Sequence, residues 1–264
     1  MKFLFYPMAL GLFLLGACNV ETAERSTETT RVDADEPVTA VVVKYDDATI
    51  NRQLDGTASA VRGMNNDITS LPGDAATKNI DTWIEQLEDR DVADKVTANL
   101  KKLRTELSQP NINGQLVGLL LTTLAADTKD VTGTNGNAGY IVQTLREGGN
   151  KLTSATIKGS DLLPQTLQAV AGNEADLTKL PGSAAVSNID SWLNKLRGMN
   201  GTDAIVRDLE MLKMELGAAS IDGSKVSGIL FGLAEKVRGV GSGNDGLEAL
   251  AYALEAGGWR LKGK

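Results

Sequence analysis

The chain has 264 residues, of which 42% are hydrophobic and 4% aromatic, and its formal net charge is −7. This length is enough for one or two ordinary hydrophobic cores, while the acidic balance and the lack of a basic stripe argue against nucleic-acid binding. Histidine is absent from the sequence, and the only cysteine is Cys18. A Ser-His-Asp site, a Cys-His pair and a disulfide within one chain are therefore excluded, and we predict no metal and no cofactor.

The first eighteen residues have the pattern of a targeting signal. Lys2 precedes an apolar stretch, residues 3–15, which is too short to span a bilayer as a helix, since that needs about 20 residues. The stretch ends in Leu15-Gly16-Ala17-Cys18, which resembles the lipobox of bacterial lipoproteins. The resemblance implies that Cys18 is acylated and becomes the first residue after cleavage. An ordinary cleaved signal with an incidental cysteine is the alternative.

Residues 19–45 are predicted to form a flexible acidic tether. Residues 19–37 contain six acidic residues, two arginines and no aromatic residue, so they cannot bury enough apolar surface to offset the entropy of ordering. Residues 38–43 are rich in β-branched side chains, but no second strand-like run is available to pair with them, and we interpret them as extended chain or as an N-terminal packing segment. Because Asn19 is not an Asp, the resemblance to lipoproteins implies an outer-membrane location if the source is Gram-negative.

The remainder of the chain contains an internal duplication. The stretch LPGDAATKNIDTW at 71–83 recurs as LPGSAAVSNIDSW at 180–192, and the same offset in numbering, 109, holds without a gap far beyond this motif. Solenoid repeats run about 20–50 residues, whereas a period of this length matches the common size of an independent domain. We therefore predict two homologous domains, residues 46–152 and 153–264, each with its own core.

Both copies have the apolar periodicity of amphipathic helices. In the first copy, apolar residues three and four apart indicate helices near residues 80–87, 96–107 and 117–124. The pairs Gly148-Gly149 and Gly257-Gly258 are predicted to cap the last helix of each copy. The sequence therefore predicts an all-α fold of two tandem bundles, each with four to five antiparallel helices.

Four polar residues recur at equivalent places, namely Asn79, Asp81, Asn188 and Asp190. Pairs of acids can perform acid-base chemistry or bind calcium. Each Asn-Ile-Asp is expected near the beginning of an amphipathic helix, where capping and the helix dipole favour both residue types. We therefore interpret these residues as structural.

Trp83 and Trp192 are the candidate ligand-binding residues. A tryptophan can stack on a sugar or a flat ligand. Each also lies on the apolar face of a predicted helix, and we favour a role as core residues. Trp259 differs, because it follows the Gly-Gly pair and its counterpart in the first copy is the polar Asn150, so it should be at least partly exposed.

The loop at residues 241–247, GSGNDGL, is similar to one turn of the calcium-binding repeat of secreted repeats-in-toxin proteins. Those repeats hold each ion between successive turns, and only one turn is present here. We interpret this stretch as a loop in which Asn244 or Asp245 caps the last helix. The recurring Glu106 and Glu215 have no partner that the sequence identifies.

These patterns favour a lipid-anchored, non-catalytic cell-envelope protein that acts as a structural or protein-interaction module. Its expected partners are the membrane, through the lipid anchor, and an envelope protein or polymer that the sequence does not identify. The alternative is a binding protein or carrier for a small apolar or amphipathic ligand in a bundle cavity. A carrier should have an elongated apolar cavity beneath Trp83 or Trp192.

Overall fold

A computed structural model describes residues 47–88, 93–131 and 136–262. These residues form ten α-helices and no β-strand, which confirms the predicted all-α fold. The signal with Cys18, the tether and residues 38–43 lie outside the described residues. The described residues belong to one compact unit.

Each copy contributes five helices. Those of the first copy are α1 (Asp47–Gly63), α2 (Gly73–Leu87), α3 (Asp94–Leu107), α4 (Gly114–Val131) and α5 (Gly136–Thr156). Those of the second copy are α6 (Leu162–Gly172), α7 (Gly182–Leu196), α8 (Asp203–Leu216), α9 (Gly223–Gly241) and α10 (Asp245–Leu261). Both ends of α2 and of α3 recur in α7 and α8 at the offset that relates the two copies of the sequence. The repeated sequence therefore produces helices with repeated bounds.

The Gly-Gly pairs do not cap helices, and that prediction is wrong. Gly148-Gly149 lies inside α5, and Gly257-Gly258 lies inside α10. A Cβ atom added to Gly149 would lie 2.7 Å from the carbonyl oxygen of Gly118 in α4, closer than real Cβ atoms approach. Gly149 therefore permits α4 and α5 to pack at short range, and the backbone continues as a helix because its own hydrogen bonds are unaffected.

Helix α4 lies at the centre of the fold. All residues from 117 to 125 are buried, and α4 packs against α3 and α5 of its own copy and against α10 of the second copy. A helix that is apolar on every side is typical of such a buried position. The larger buried core therefore contains residues of both copies, while a smaller cluster lies within the second copy.

The boundary predicted between residues 152 and 153 falls inside α5, which continues to Thr156. A short connection, residues 157–161, then leads into α6. That each copy folds on its own stays a prediction.

Candidate functional site

Trp83 belongs to a three-residue hydrogen-bond cluster between α1 and α2. Its indole Nε1 donates to Thr57 Oγ1 at 3.0 Å, and Asn79 Nδ2 donates to the same oxygen at 3.0 Å. Thr57 is buried, so a hydroxyl without partners would cost the desolvation free energy of the group. The cluster therefore satisfies a buried hydroxyl and joins the two helices.

The second copy repeats this cluster between α6 and α7. Trp192 Nε1 donates to Thr166 Oγ1 at 3.0 Å, and Asn188 Nδ2 donates to it at 2.9 Å. Both indoles are partly buried and pack against the larger core. The structure thus places the two candidate tryptophans at the edge of the core. The indole N–H of each donates a hydrogen bond to a buried threonine.

The recurring acids lie in helix interiors, and their predicted position at a helix start is wrong. Helix α2 begins at Gly73, well before Asn79 and Asp81. Asp81 forms an ion pair with Arg104 of α3, and Asp190 Oδ1 lies 2.6 Å from Nζ of Lys213 in α8. The sequence pattern did not reveal this role, because each partner lies 23 residues further along the chain.

The structure supplies the partners of the recurring glutamates. Glu106 Oε1 accepts the backbone N–H of Asn113 at 2.6 Å. Glu215 Oε1 accepts the N–H of Asp222 at 3.1 Å, and its Oε2 lies 2.5 Å from Nζ of Lys225. The hydrogen bond from Lys225 lowers the pKa of Glu215, with help from the backbone bond. Glu106 therefore fixes the connection between α3 and α4, and Glu215 fixes the connection between α8 and α9.

The loop that is similar to a calcium-binding turn provides a helix cap. Asn244 Oδ1 accepts the N–H of Leu247 at 3.1 Å, which confirms Asn244 as the cap of α10. Among the described residues, no group of three or more acidic side chains is placed to hold a metal ion.

Partly buried polar contacts lie around α10, and one of them joins the two copies. Tyr252 Oη donates to Asn99 Oδ1 at 3.0 Å, and burial raises the pKa of Tyr252. Arg260 donates to the carbonyl oxygen of Ala175 at 2.9 Å and lies 3.5 Å from Asp176 Oδ1. The residues that meet here are as much as 153 apart in sequence, so periodicity could not identify these contacts. The hydrogen bond from Tyr252 joins α10 of the second copy to α3 of the first.

Two clefts lie where the copies meet. The smaller, of about 400 Å³, is lined by residues that include Gln115, Lys158 and Asn244. The larger, of about 560 Å³, is lined mostly by polar side chains, among them Arg146 and Gln168. Neither cleft is lined by Trp83 or Trp192, the residues beneath which a carrier cavity is predicted.

The second copy carries several exposed large apolar side chains. Met211 and Met214 on α8 are 41% and 69% exposed, and Trp259 on α10 is 45% exposed, which confirms its predicted exposure. The ring of Trp259 meets the edge of Phe231 with the centroids 5.2 Å apart, and Lys262 Nζ lies 4.4 Å from the Trp259 centroid.

No protein-family model, curated protein or solved structure matches this chain. The function is therefore argued from the residues described above. In the part of the chain that the structure describes, every helix is too short or too polar to cross a membrane.

Proposed function

We propose that this protein is a lipid-anchored, non-catalytic component of the cell envelope that acts as a protein-interaction module. The anchor is Cys18, at the end of the stretch that resembles a lipobox. Two or three acyl chains, each methylene contributing about 0.8 kcal/mol when buried, hold a protein stably at a membrane. In a Gram-negative source the location is the outer membrane.

The observation that carries the interaction role is the exposure of large apolar side chains on the second copy. Met211 and Met214 of α8 and Trp259 of α10, two helices that both pack against α9, leave a large part of their apolar surface in water. Exposed large apolar side chains are common at protein interaction sites, where Met and Trp are enriched. The core that the two copies share would hold the helices that carry these side chains in fixed positions.

The carrier alternative has less support. Trp83 and Trp192 use their indole N–H groups to bond buried threonines, and the two clefts at the junction of the copies lie elsewhere. A ligand in a bundle cavity needs an apolar lining, whereas polar side chains predominate in the larger cleft.

Fractionation of cells that express Cys18→Ala tests the anchor. This variant should leave the membrane fraction or accumulate as uncleaved precursor, because no thiol is available for acylation. A fatty-acid analogue should label the wild type and the control Ala17→Gly, which keeps a small residue before the cysteine. A Cys18→Ala protein that is cleaved correctly and stays in the membrane fraction would contradict the proposal.

A further inference from the structure

The sequence contains three Asn-Gly pairs, and two of them lie in different surroundings in the structure. The pairs are Asn113-Gly114, Asn135-Gly136 and Asn200-Gly201. Asn135 lies outside the described residues, so the comparison concerns the other two pairs. In an Asn-Gly pair the backbone nitrogen of the glycine can attack the side-chain amide of the asparagine, because glycine has no side chain to obstruct the approach.

The pair Asn200-Gly201 lies on the surface, in the connection between α7 and α8. Both residues are exposed. They are the two central residues of a β-turn, in which the N–H of Thr202 donates to the carbonyl oxygen of Met199 at 3.4 Å. Gly201 has a φ of +82°, which is typical of glycine at the third position of a turn. The two central residues take no part in the hydrogen bond that closes the turn.

The groups of this pair that would react are free. In the part of the chain that the structure describes, no acceptor pairs with the N–H of Gly201, and the side chain of Asn200 has no hydrogen-bond partner. A Cβ atom added to Gly201 would meet no atom within 4 Å, so the space beside the attacking nitrogen is open. The carboxamide of Asn200 can therefore rotate toward that nitrogen without the loss of a hydrogen bond.

The pair Asn113-Gly114 lies at the start of α4, and its asparagine is held in place. Asn113 is only 3% exposed. Its Oδ1 accepts the N–H groups of Gln115 and Leu116, both at 3.1 Å, and its Nδ2 donates to the carbonyl oxygen of Asp245 at 2.9 Å. These bonds fix the side chain as the cap of α4. Its carboxamide carbon cannot rotate toward the nitrogen of Gly114 unless they break.

We propose that Asn200 is a site of spontaneous deamidation, whereas the fold protects Asn113. The backbone nitrogen of Gly201 bonds to Cγ of Asn200, and the bond from Cγ to the side-chain nitrogen breaks. The side-chain nitrogen leaves as ammonia and takes the proton that the backbone nitrogen loses. Water then hydrolyses the five-membered imide at either carbonyl group, which yields aspartate or isoaspartate. The reaction consumes one water molecule for each ammonia released and needs no enzyme.

Deamidation adds one negative charge to the turn before α8, since a carboxyl group is ionised at neutral pH. The equivalent position of the first copy is Asp91, so the aspartate product has the residue type that the first copy carries. The isoaspartate product instead adds a methylene group to the main chain. Because hydrolysis is irreversible, the deamidated fraction increases with the age of the protein. Asn200 therefore marks that age, independently of the interaction role proposed above.

Peptide mapping of the purified full chain after incubation in mildly alkaline buffer tests the proposal. Trypsin places the three Asn-Gly pairs in different peptides, so mass spectrometry measures each pair separately. We expect Asn200 to deamidate at least tenfold faster than Asn113. The peptide from Asn200→Asp should coelute with one of the two products. Asn200→Gln should remove the reaction from this peptide, because glutamine closes a larger ring more slowly.

The chain unfolded in guanidinium chloride is the matched control. Asn113 loses its hydrogen bonds there, so the two pairs should deamidate at similar rates. The proposal fails if Asn113 reacts as fast as Asn200 in the folded chain, or if Asn200 stays intact there while it reacts in the unfolded chain. It also fails if the protein isolated from cells carries a sugar on Asn200, since Asn200-Gly201-Thr202 matches the acceptor pattern for N-glycosylation and a glycosylated amide releases no ammonia.

Discussion

The role of a single residue in this protein depends on what lies opposite it. Gly139 and Gly149 are both in α5, yet a Cβ added to Gly139 would meet nothing within 4 Å, whereas one added to Gly149 would overlap α4. Thr57 likewise matters because two side chains donate to its hydroxyl. Residue type alone does not distinguish these cases.

Gly149→Ala should destabilise the protein by about 1–3 kcal/mol, because the added methyl group forces α4 and α5 apart. The control Gly139→Ala should stabilise it by about 0.5–1 kcal/mol through lower backbone entropy in the unfolded chain. Urea unfolding measures both. Equal effects of the two substitutions would contradict the close packing of these helices.

Thr57→Val should cost about 1–3 kcal/mol, because Trp83 Nε1 and Asn79 Nδ2 lose their shared acceptor. The free energy of the hydrogen bond between Trp83 and Thr57 is measured better by a double-mutant cycle, which combines Thr57→Val with Trp83→Phe, than by the single variant. Non-additive free energies of unfolding are expected, since both substitutions remove the same bond. Strict additivity would show that the bond contributes nothing.

At the scale of helices, the two copies preserve contacts while they change the residues that make them. Glu88 and Lys101 form an ion pair at 2.6 Å, and the equivalent Arg197 and Glu210 form one of reversed sign at 2.8 Å. These exposed pairs contribute little stability individually, in the range of about 0–1 kcal/mol. What recurs is the packing of neighbouring helices, which brings the same two positions together in each copy.

The 3₁₀ turn Ile68–Ser70, before α2, should be sensitive to acid. The hydrogen bond from Lys151 of α5, followed by that from Thr69, holds the pKa of Asp67 well below its usual range. The folded state therefore binds fewer protons than the unfolded state, so this stabilisation is present above the unfolded pKa, about 4, and is lost as pH falls below it.

Asp67→Asn tests this pH dependence. Unfolding free energies measured from pH 6 to pH 3 should fall less steeply for the variant than for the wild type, because it lacks the ionised carboxylate. The control is Asp74→Asn, on the exposed first turn of α2. It should change the slope of unfolding free energy against pH less than Asp67→Asn does. Identical slopes for wild type and Asp67→Asn would contradict the assigned role.

At the scale of the molecule, the two copies share their largest core. Leu119 and Leu120 of α4 are fully buried in a cluster that also contains Leu167 and Tyr252 of the second copy. The equivalent positions of α9 are Gly228 and the partly buried Ile229. The copies are therefore not interchangeable, since the first needs the second to cover its central helix.

We expect the intact chain to unfold in one cooperative transition by calorimetry, because separation of the copies exposes the apolar α4. A fragment of residues 47–157 should be less stable than the same segment in the intact chain, and adding residues 158–262 should restore part of that stability. Two well-separated transitions, with the first fragment fully stable alone, would contradict the shared core.

The sequence by itself determined the all-α class, the recurrence of helix bounds from one copy to the next and a cap of the last helix at Asn244 or Asp245, of which the structure has Asn244. Helical periodicity, turn residues and caps depend on neighbours a few residues away, so they can be recognised in the sequence. Tertiary structure alone decided the role of the Gly-Gly pairs and the partners of Glu106 and Arg260. Those features depend on which distant helix lies opposite each residue, and the core that α4 shares with α10 brings together side chains from the two copies that are far apart along the chain.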